Sequence, residues 1–129
     1  MLVLDENLPA GQRSLLRQWR IRFRSVGEEL GNSGILDKNL IPLLHRLAQP
    51  TFVSLDRDFH RPELAHRRYC LVWLNVRGRE AAEFIRRFLK HPSFNTRIKR
   101  LGWVARVHVE GISAWRAGSR TLHEMPWPD

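Results

Sequence analysis

Hydrophobic and polar positions follow two kinds of pattern along this chain, and the first kind predicts β-strands. Leu2–Leu4 and Thr51–Leu55 are short apolar runs, and Tyr69–Val76 is a nearly continuous one, typical of a parallel strand covered on both faces. Residues 21–26 alternate with a period of two, which indicates a strand that is half exposed or close to an edge. These segments are the expected strands of a sheet.

The second pattern places apolar residues on one side of a helix. It recurs in three segments, 11–19, 37–48 and 79–90. The middle segment contains Pro42, which leaves two alternatives. Either Asp37 caps the helix and Pro42 kinks it, or Asn39 is the cap and Pro42 lies in the first turn, where its missing N–H costs little. The second alternative is preferred. A loop containing glycines, 27–34, precedes this helix.

The last part of the chain has a different pattern. Trp103–Val109 alternates, Glu110-Gly111 is a tight turn and Ile112–Trp115 runs back, which predicts a β-hairpin. Residues after Gly118 are expected to form a loop. The order of elements predicts a single α/β domain with three layers and a mostly parallel sheet, because strand–helix–strand crossovers are right-handed and cover both faces. We expect an α/β core over 1–100, the hairpin over 101–118 and a tail over 119–129.

Composition narrows the class of protein. The 129 residues suit one domain, and 43% apolar with 27% charged residues indicate a globular chain. The apolar runs are too short to span a bilayer, and no secretory signal is visible at residue 1. The single cysteine, Cys70, is compatible with a reducing cytoplasm. A net charge of +9 favours a polyanionic partner such as nucleic acid.

Acidic residues follow both short apolar strands. Asp5 comes directly after the first, and Asp56 and Asp58 come after the third. If these strands are neighbours, their carboxylates meet at one edge of the sheet, where oxygen ligands select Mg²⁺ or Mn²⁺. Ser54 is expected to hydrogen-bond and orient a carboxylate. Glu6 alternates away from Asp5, so it is the weaker candidate and is assigned a supporting position at the rim.

Other chemistries find little support. The glycines match no phosphate-binding loop, the six histidines lack zinc spacing, and one cysteine cannot form a multi-thiolate site. Asp37 could serve as a helix cap alone, and Asp56-Arg57-Asp58 as a turn alone. The coincidence of acids at the same end of two strands favours a metal site over these structural explanations.

Three motifs in order resemble the PIN-like domain family, in its small bacterial branch. They are a hydrophobic strand with Asp-Glu-Asn-Leu-Pro at Leu2–Pro9, an Asp before a helix at Asp37 after Gly34, and Ser-x-Asp-x-Asp-Phe at Ser54–Phe59. The resemblance covers residues 1–90. It implies a Rossmann-like fold and a Mg²⁺- or Mn²⁺-dependent endoribonuclease, with a catalytic and metal-binding set composed of Asp5, Asp37, Asp56 and Asp58.

The resemblance also implies partners. Many PIN domains are toxins held inactive by a cognate antitoxin protein and commonly dimerise, so RNA, an antitoxin and a second copy are the expected partners. Basic residues expected to guide the RNA backbone are Arg57, Arg77, Arg86, Arg87, Lys99 and Arg100. Of five tryptophans that are candidates for base stacking, Trp19 and Trp73 are expected to be buried, whereas Trp103, Trp115 and Trp127 are left open. The alternatives are a non-catalytic module that binds RNA or protein, and a small Mg²⁺ hydrolase of phosphatase type.

Overall fold

The described part of the chain forms seven strands and four α-helices. The structure is a computed structural model that describes residues 1–27 and 37–128, apart from the side chains of Asp37 and Lys38. The strands are β1 (Leu2–Leu4), β2 (Arg24–Ser25), β3 (Thr51–Ser54), β4 (Cys70–Leu74), β5 (Trp103–His108), β6 (Gly111–Arg116) and β7 (His123–Pro126). The helices are α1 (Ala10–Gln18), α2 (Asp37–Arg46), α3 (Ala81–Lys90) and α4 (Arg97–Arg100). Short 3₁₀ turns span Arg57–Phe59, Pro62–Leu64 and Gly78–Glu80.

All seven strands belong to one sheet in the order β2-β1-β3-β4-β5-β6-β7. Neighbours from β2 to β5 pair in parallel, and β5, β6 and β7 pair antiparallel. The sequence-based expectation of an α/β fold with a mostly parallel sheet is confirmed. The chain order reverses between β1 and β3, so their carboxyl ends form a topological switch point, where ligands bind in open α/β sheets.

Apolar side chains on both faces of the sheet build two core clusters. On one face, Leu16 of α1 and Phe88 of α3 pack with Val72 of β4. On the other, Leu44 of α2 packs with Phe52 of β3. The central strands are therefore covered on both faces, as their apolar runs require. No helix among residues 1–27 and 37–128 is both long enough and apolar enough to cross a membrane.

The preferred interpretation of Pro42 is wrong. Asn39 is not the cap, because α2 spans Asp37–Arg46 and encloses both Asn39 and Pro42. Pro42 removes the hydrogen bond that an ordinary residue would donate to the Lys38 carbonyl. Buried leucines on the same helix, among them Leu44, stabilise it through tertiary packing. The loop expected at 27–34 lies outside the described residues, apart from Gly27.

Other differences concern weakly patterned segments. The second strand is shorter than the alternating residues 21–26 suggest, since β2 consists of Arg24 and Ser25, which pair with Val3 and Leu4. The tail expected to be a loop contains β7, which continues the antiparallel part of the sheet beyond β6. The Trp127 indole Nε1 donates to the His108 carbonyl at 2.9 Å and holds the end of β7 against β5. The short helix α4 was not predicted from the sequence.

Candidate functional site

The register of β1 and β3 brings Asp5 beside Ser54 at the switch point. Leu4 is paired with Val53, and the Asp5 amide donates to the Val53 carbonyl at 2.9 Å, which extends the pairing by one residue. Asp5 is half-buried and Ser54 is fully buried. The condition that the first and third strands are neighbours is therefore met.

Ser54 joins three residues of this edge through its hydroxyl. The hydroxyl donates to Asp5 Oδ2 at 2.6 Å and accepts from the Asp56 amide at 3.0 Å and from Asn7 Nδ2 at 3.3 Å. A serine hydroxyl has one proton and two lone pairs, so its hydrogen-bonding capacity is filled. Because the other two partners are donors, the single proton must be directed to Asp5. The carboxylate contact expected for Ser54 from the sequence is present.

Asn7 links the two strand ends a second time. Its Oδ1 accepts from the Leu55 amide at 3.4 Å while its Nδ2 donates to Ser54. The remaining Asp5 oxygen, Oδ1, accepts from the Glu6 amide at 2.8 Å. The carboxylate of Asp5 is thus held by a donor on each oxygen, which fixes its orientation. Asn7 was not assigned a role from sequence, although it lies within the Asp-Glu-Asn-Leu-Pro motif that identified the turn.

Asp56 shapes the turn that follows β3. Its Oδ1 accepts from the Asp58 amide at 2.9 Å and caps the 3₁₀ turn Arg57–Phe59. Phe59 is buried against Phe52, with ring centroids 5.1 Å apart, so the turn is anchored to the core. The Asp56 side chain is half-buried, and its Oδ2 makes no hydrogen bond within the described part of the chain. That oxygen remains available to a ligand.

The other predicted acids differ in position. Asp58 is exposed. Glu6 is exposed too, and its carbonyl accepts from Arg13 Nη2 at 3.1 Å, which ties the acidic turn to α1. The backbone of Asp37 begins the described part of α2, but its side chain lies outside the described residues. The structure therefore brings Asp5, Ser54 and Asp56 together.

These oxygen donors suit a hard cation. Mg²⁺ is commonly held by one or two protein carboxylates together with waters and substrate phosphates, so Asp5 and Asp56 with the Asn7 amide oxygen nearby have the right chemistry. Across residues 1–27 and 37–128, no group of three or more histidine, cysteine, aspartate or glutamate side chains is placed to hold a metal ion. A site here would rest on two carboxylates from the described residues.

The basic residues predicted to bind RNA lie in contrasting surroundings. Arg57 and Arg77 are exposed. Arg77 precedes Gly78, where an added Cβ would lie 3.4 Å from Pro9 Cγ, so the turn carrying Arg77 packs against the turn that follows Asp5. Arg57 is therefore next to Asp56 in the chain, and Arg77 adjoins a turn that packs against Pro9.

Arg86, Arg87 and Lys99 already contact other groups. The Arg86 guanidinium pairs with Glu83 at 2.6 Å and lies 3.8 Å from the centre of the Trp19 ring. Arg87 lies over the Trp127 ring at 4.6 Å. The Lys99 ammonium donates to the Pro92 carbonyl at 2.9 Å and to Asn95 Oδ1 at 3.0 Å. The remaining residues predicted to bind RNA are thus distributed around α3 and α4.

Arg100 is buried and serves the fold. Its Nε donates to Thr51 Oγ1 at 3.0 Å, and its Nη1 donates to the Phe94 carbonyl at 2.9 Å. Burial lowers the pKa of the guanidinium. A side chain so enclosed is not presented to an RNA backbone, which differs from its expected role.

The tryptophans are placed differently from the expectation. Trp19 and Trp73, expected to be buried, are each half-buried, as are the other three. Trp73 pairs in register with Ser54 on one side and with Arg106 on the other, so an aromatic and a cationic side chain continue the row that begins at Asp5. With its carboxamide oxygen turned to the guanidinium, Asn75 accepts from Nε and Nη2 of Arg106, each at 3.1 Å.

His60 completes this row from the loop after β3. Its ring centroid lies 4.4 Å from that of Trp115 and 5.6 Å from that of Trp73. Burial, together with the nearby Arg106 charge, lowers the His60 pKa from 6.5 to about 4, so the ring is neutral near pH 7. Sequence reasoning assigned no role to His60. Because the residues of β5 alternate between the two faces of the sheet, the sequence could have placed Arg106 on the same face as Trp73.

Comparison of the chain with protein-family models, with curated proteins and with solved structures gives no significant match.

Proposed function

We propose that this protein is a PIN-like, Mg²⁺- or Mn²⁺-dependent endoribonuclease of the cytoplasm. The observation that carries the proposal lies at the switch point of the sheet. There the Ser54 hydroxyl donates to the Asp5 carboxylate and accepts from the backbone amide of Asp56. The net charge of +9 supports a polyanionic substrate. Within this proposal, β5 and β6 are the C-terminal hairpin of a PIN-like fold.

Some residues of the site would hold a cation, and others would hold the RNA. Asp5 and Asp56 would bind the ion, and Asp37 and Asp58 are the further acids that the resemblance assigns to it. When bound, the ion supplies positive charge that neutralises charge developing on the scissile phosphodiester. Ser54 keeps the Asp5 carboxylate in one orientation, which lowers the reorganisation needed during the reaction.

The exposed arginines would hold the RNA backbone. Arg57 is next to Asp56 and would contact a phosphate bound at the carboxylates, and Arg77, beside the turn packed against Pro9, would contact the chain further along. Phosphate contacts of this kind position the substrate without reading its sequence. The proposal extends to a cognate antitoxin protein that blocks this edge and to a homodimer.

A second candidate is a PIN-like module that binds RNA or protein without cleaving it. It is supported by the net charge of +9, which favours binding of RNA whether or not the RNA is cleaved. In this candidate the two carboxylates and Arg57 act as a polar docking edge. The two candidates differ in one measurable property, which is turnover of RNA.

A nuclease assay on the purified protein with Mn²⁺ separates them. We expect Asp5→Asn and Asp56→Asn to lower the rate of RNA cleavage by at least roughly a hundredfold, as expected for loss of a main electrostatic contribution. Glu63→Gln is the matched control, because Glu63 is exposed and lies outside the site. Each variant is checked for an unchanged circular dichroism spectrum.

Three results would contradict the nuclease proposal. Equal cleavage by the wild type and both aspartate variants would identify a contaminant. RNA that is bound but left intact at saturating Mn²⁺ would favour the binding module. Turnover of small phosphate esters while RNA stays intact would indicate a phosphatase-like hydrolase instead.

A further inference from the structure

A concave surface lies at the opposite end of the sheet from the carboxylates. It is a groove of about 740 Å³ beside the start of β1 and the edge strand β2, and this volume is typical of ligand pockets. Four exposed arginines line it, and we call it the arginine groove: Arg17, Arg20, Arg22 and Arg24. None of the described residues that line it is acidic. The groove therefore combines high positive charge with a defined shape.

One of these arginines occupies a backbone position that usually carries glycine. Helix α1 ends in a Schellman motif, in which the Arg20 amide donates to the Arg17 carbonyl at 3.0 Å and the Ile21 amide donates to the Leu16 carbonyl at 2.9 Å. The motif requires a left-handed residue at Arg20, whose φ is +62°. A side chain there costs roughly 1 kcal/mol relative to glycine. An arginine at this position is explained better by an interaction of its guanidinium than by stability.

The floor of the groove is apolar. Leu2 is buried, and Ile21 and Phe23 are half-buried against the core that contains Leu16. The Arg17 guanidinium lies 5.0 Å from the centre of the Phe23 ring. Because a cation already covers this ring, its face does not offer an open platform for stacking a nucleobase. The floor instead suits aliphatic side chains.

The ligand must match both features, a cationic rim and an aliphatic floor. We propose that the arginine groove binds an acidic amphipathic segment of a partner protein. Its carboxylates would lie on Arg20 and Arg22, and its aliphatic side chains on Leu2 and Ile21. Arginine is suited to this role, since its planar guanidinium donates two parallel hydrogen bonds to a carboxylate. The inference does not depend on nuclease activity, because the groove and the carboxylate site lie at opposite ends of β1.

Selection from a pool of random peptides displayed on phage, with the full-length protein immobilised, tests the proposal. We expect enrichment of peptides that alternate acidic and aliphatic residues. A selected peptide, labelled with a fluorophore, is then titrated with the wild type and with Arg20→Gly/Arg22→Gln by fluorescence anisotropy. We expect the double variant to bind roughly tenfold more weakly while folding at least as stably, because glycine relieves the strain at position 20.

The matched control is Arg61→Gln/Arg120→Gln, which makes the same change in charge at exposed positions outside the groove. It is expected to leave the affinity unchanged. Equal weakening by both double variants would reduce the effect to general charge and overturn the proposal. Failure to enrich acidic peptides would overturn it too. Displacement of the peptide by single-stranded RNA, with RNA affinity lost in Arg20→Gly/Arg22→Gln, would show that the groove serves nucleic acid instead.

Discussion

Removal of one hydroxyl should show how strongly the edge of the sheet depends on Ser54. Ser54→Ala leaves the Asp5 carboxylate, the Asp56 amide and the Asn7 amide each without one hydrogen bond. The side chain is fully buried, and the substitution removes one oxygen atom while it leaves Cβ in place. The substitution therefore tests hydrogen bonding with little change in packing.

The size of the effect follows from the types of hydrogen bond lost. A hydrogen bond to a charged group contributes ~1.5–3 kcal/mol, and a neutral one contributes ~0.5–1.5 kcal/mol. Asp5, Asn7 and Asp56 are partly or largely open to solvent, so water replaces some of what is lost. We expect the free energy of unfolding to fall by about 2–3 kcal/mol. For a chain of 129 residues, this corresponds to a decrease in Tm of roughly 7–11 °C.

Ser25→Ala is the matched control, because it removes a hydroxyl from an equally buried serine on β2. The Ser25 Oγ makes no hydrogen bond within residues 1–27 and 37–128, so its removal should leave stability unchanged or raise it by up to about 1 kcal/mol. Urea unfolding followed by tryptophan fluorescence measures both variants. A loss below about 0.5 kcal/mol for Ser54→Ala, or equal losses for the two variants, would refute the reasoning.

Three further predictions concern glycines, a histidine and the cysteine. Gly11→Ala should stabilise by ~0.5–1 kcal/mol, since α1 has open space there. Gly111→Ala should destabilise by ~2 kcal/mol or more, because its Cβ would clash with the Met125 carbonyl oxygen; thermal unfolding measures both. Because the His60 pKa is lower in the folded than in the unfolded protein, the stabilisation from its neutral ring is complete above pH 6.5 and is lost as the pH falls towards 4. After allowance for solvent screening, the free energy of unfolding should fall by ~1–2 kcal/mol. His60→Phe should flatten this pH profile, which urea unfolding measures. Burial raises the Cys70 pKa to about 12, so a thiol reagent at pH 8 should label Cys70 only after unfolding.

Each of these has an outcome that contradicts it. Equal changes in stability from the two glycine substitutions would contradict the close approach of β6 and β7 at Gly111. A stability profile that keeps its slope between pH 6.5 and 4 in His60→Phe would assign the titration to other groups, and His123→Asn, at an exposed position, is the control. Labelling of Cys70 in the native protein as fast as in urea would show that β4 opens readily.

The strands of the core could be predicted because both of their faces are buried. Leu2–Leu4 and Thr51–Ser54 consist largely of apolar residues, and such runs have few alternatives to a covered parallel strand. The pairing of these two strands could be stated only as a condition. The residues that β1 and β3 bring together, such as Asp5 and Ser54, lie 49 positions apart along the chain. Helix packing decides which strands become neighbours, and hydrophobic periodicity does not report it.

Most of the differences between the sequence-based prediction and the structure involve polar residues whose contacts are distant along the chain. Arg100 lies in a run of basic residues and was expected on the surface, but Thr51 and Phe94 provide hydrogen-bond acceptors that the local sequence cannot reveal. Residues 123–126 are mostly exposed and have no strand pattern, and they form β7 because β6 offers an edge with which to pair. Asn7 acquires its role from contacts across the sheet.

The separation between Asp5 and Ser54 also has a consequence during synthesis of the protein. The two residues are 49 positions apart, and a ribosome adds ~5–20 residues per second, so the Asp5 carboxylate waits roughly 2–10 s before its serine exists. Nascent chains that stop before β3 lack Ser54 and Asp56 and cannot assemble the carboxylate edge. Truncated products of translation would therefore carry the acidic turn without the site, and any activity of that edge begins only after β3 has joined β1.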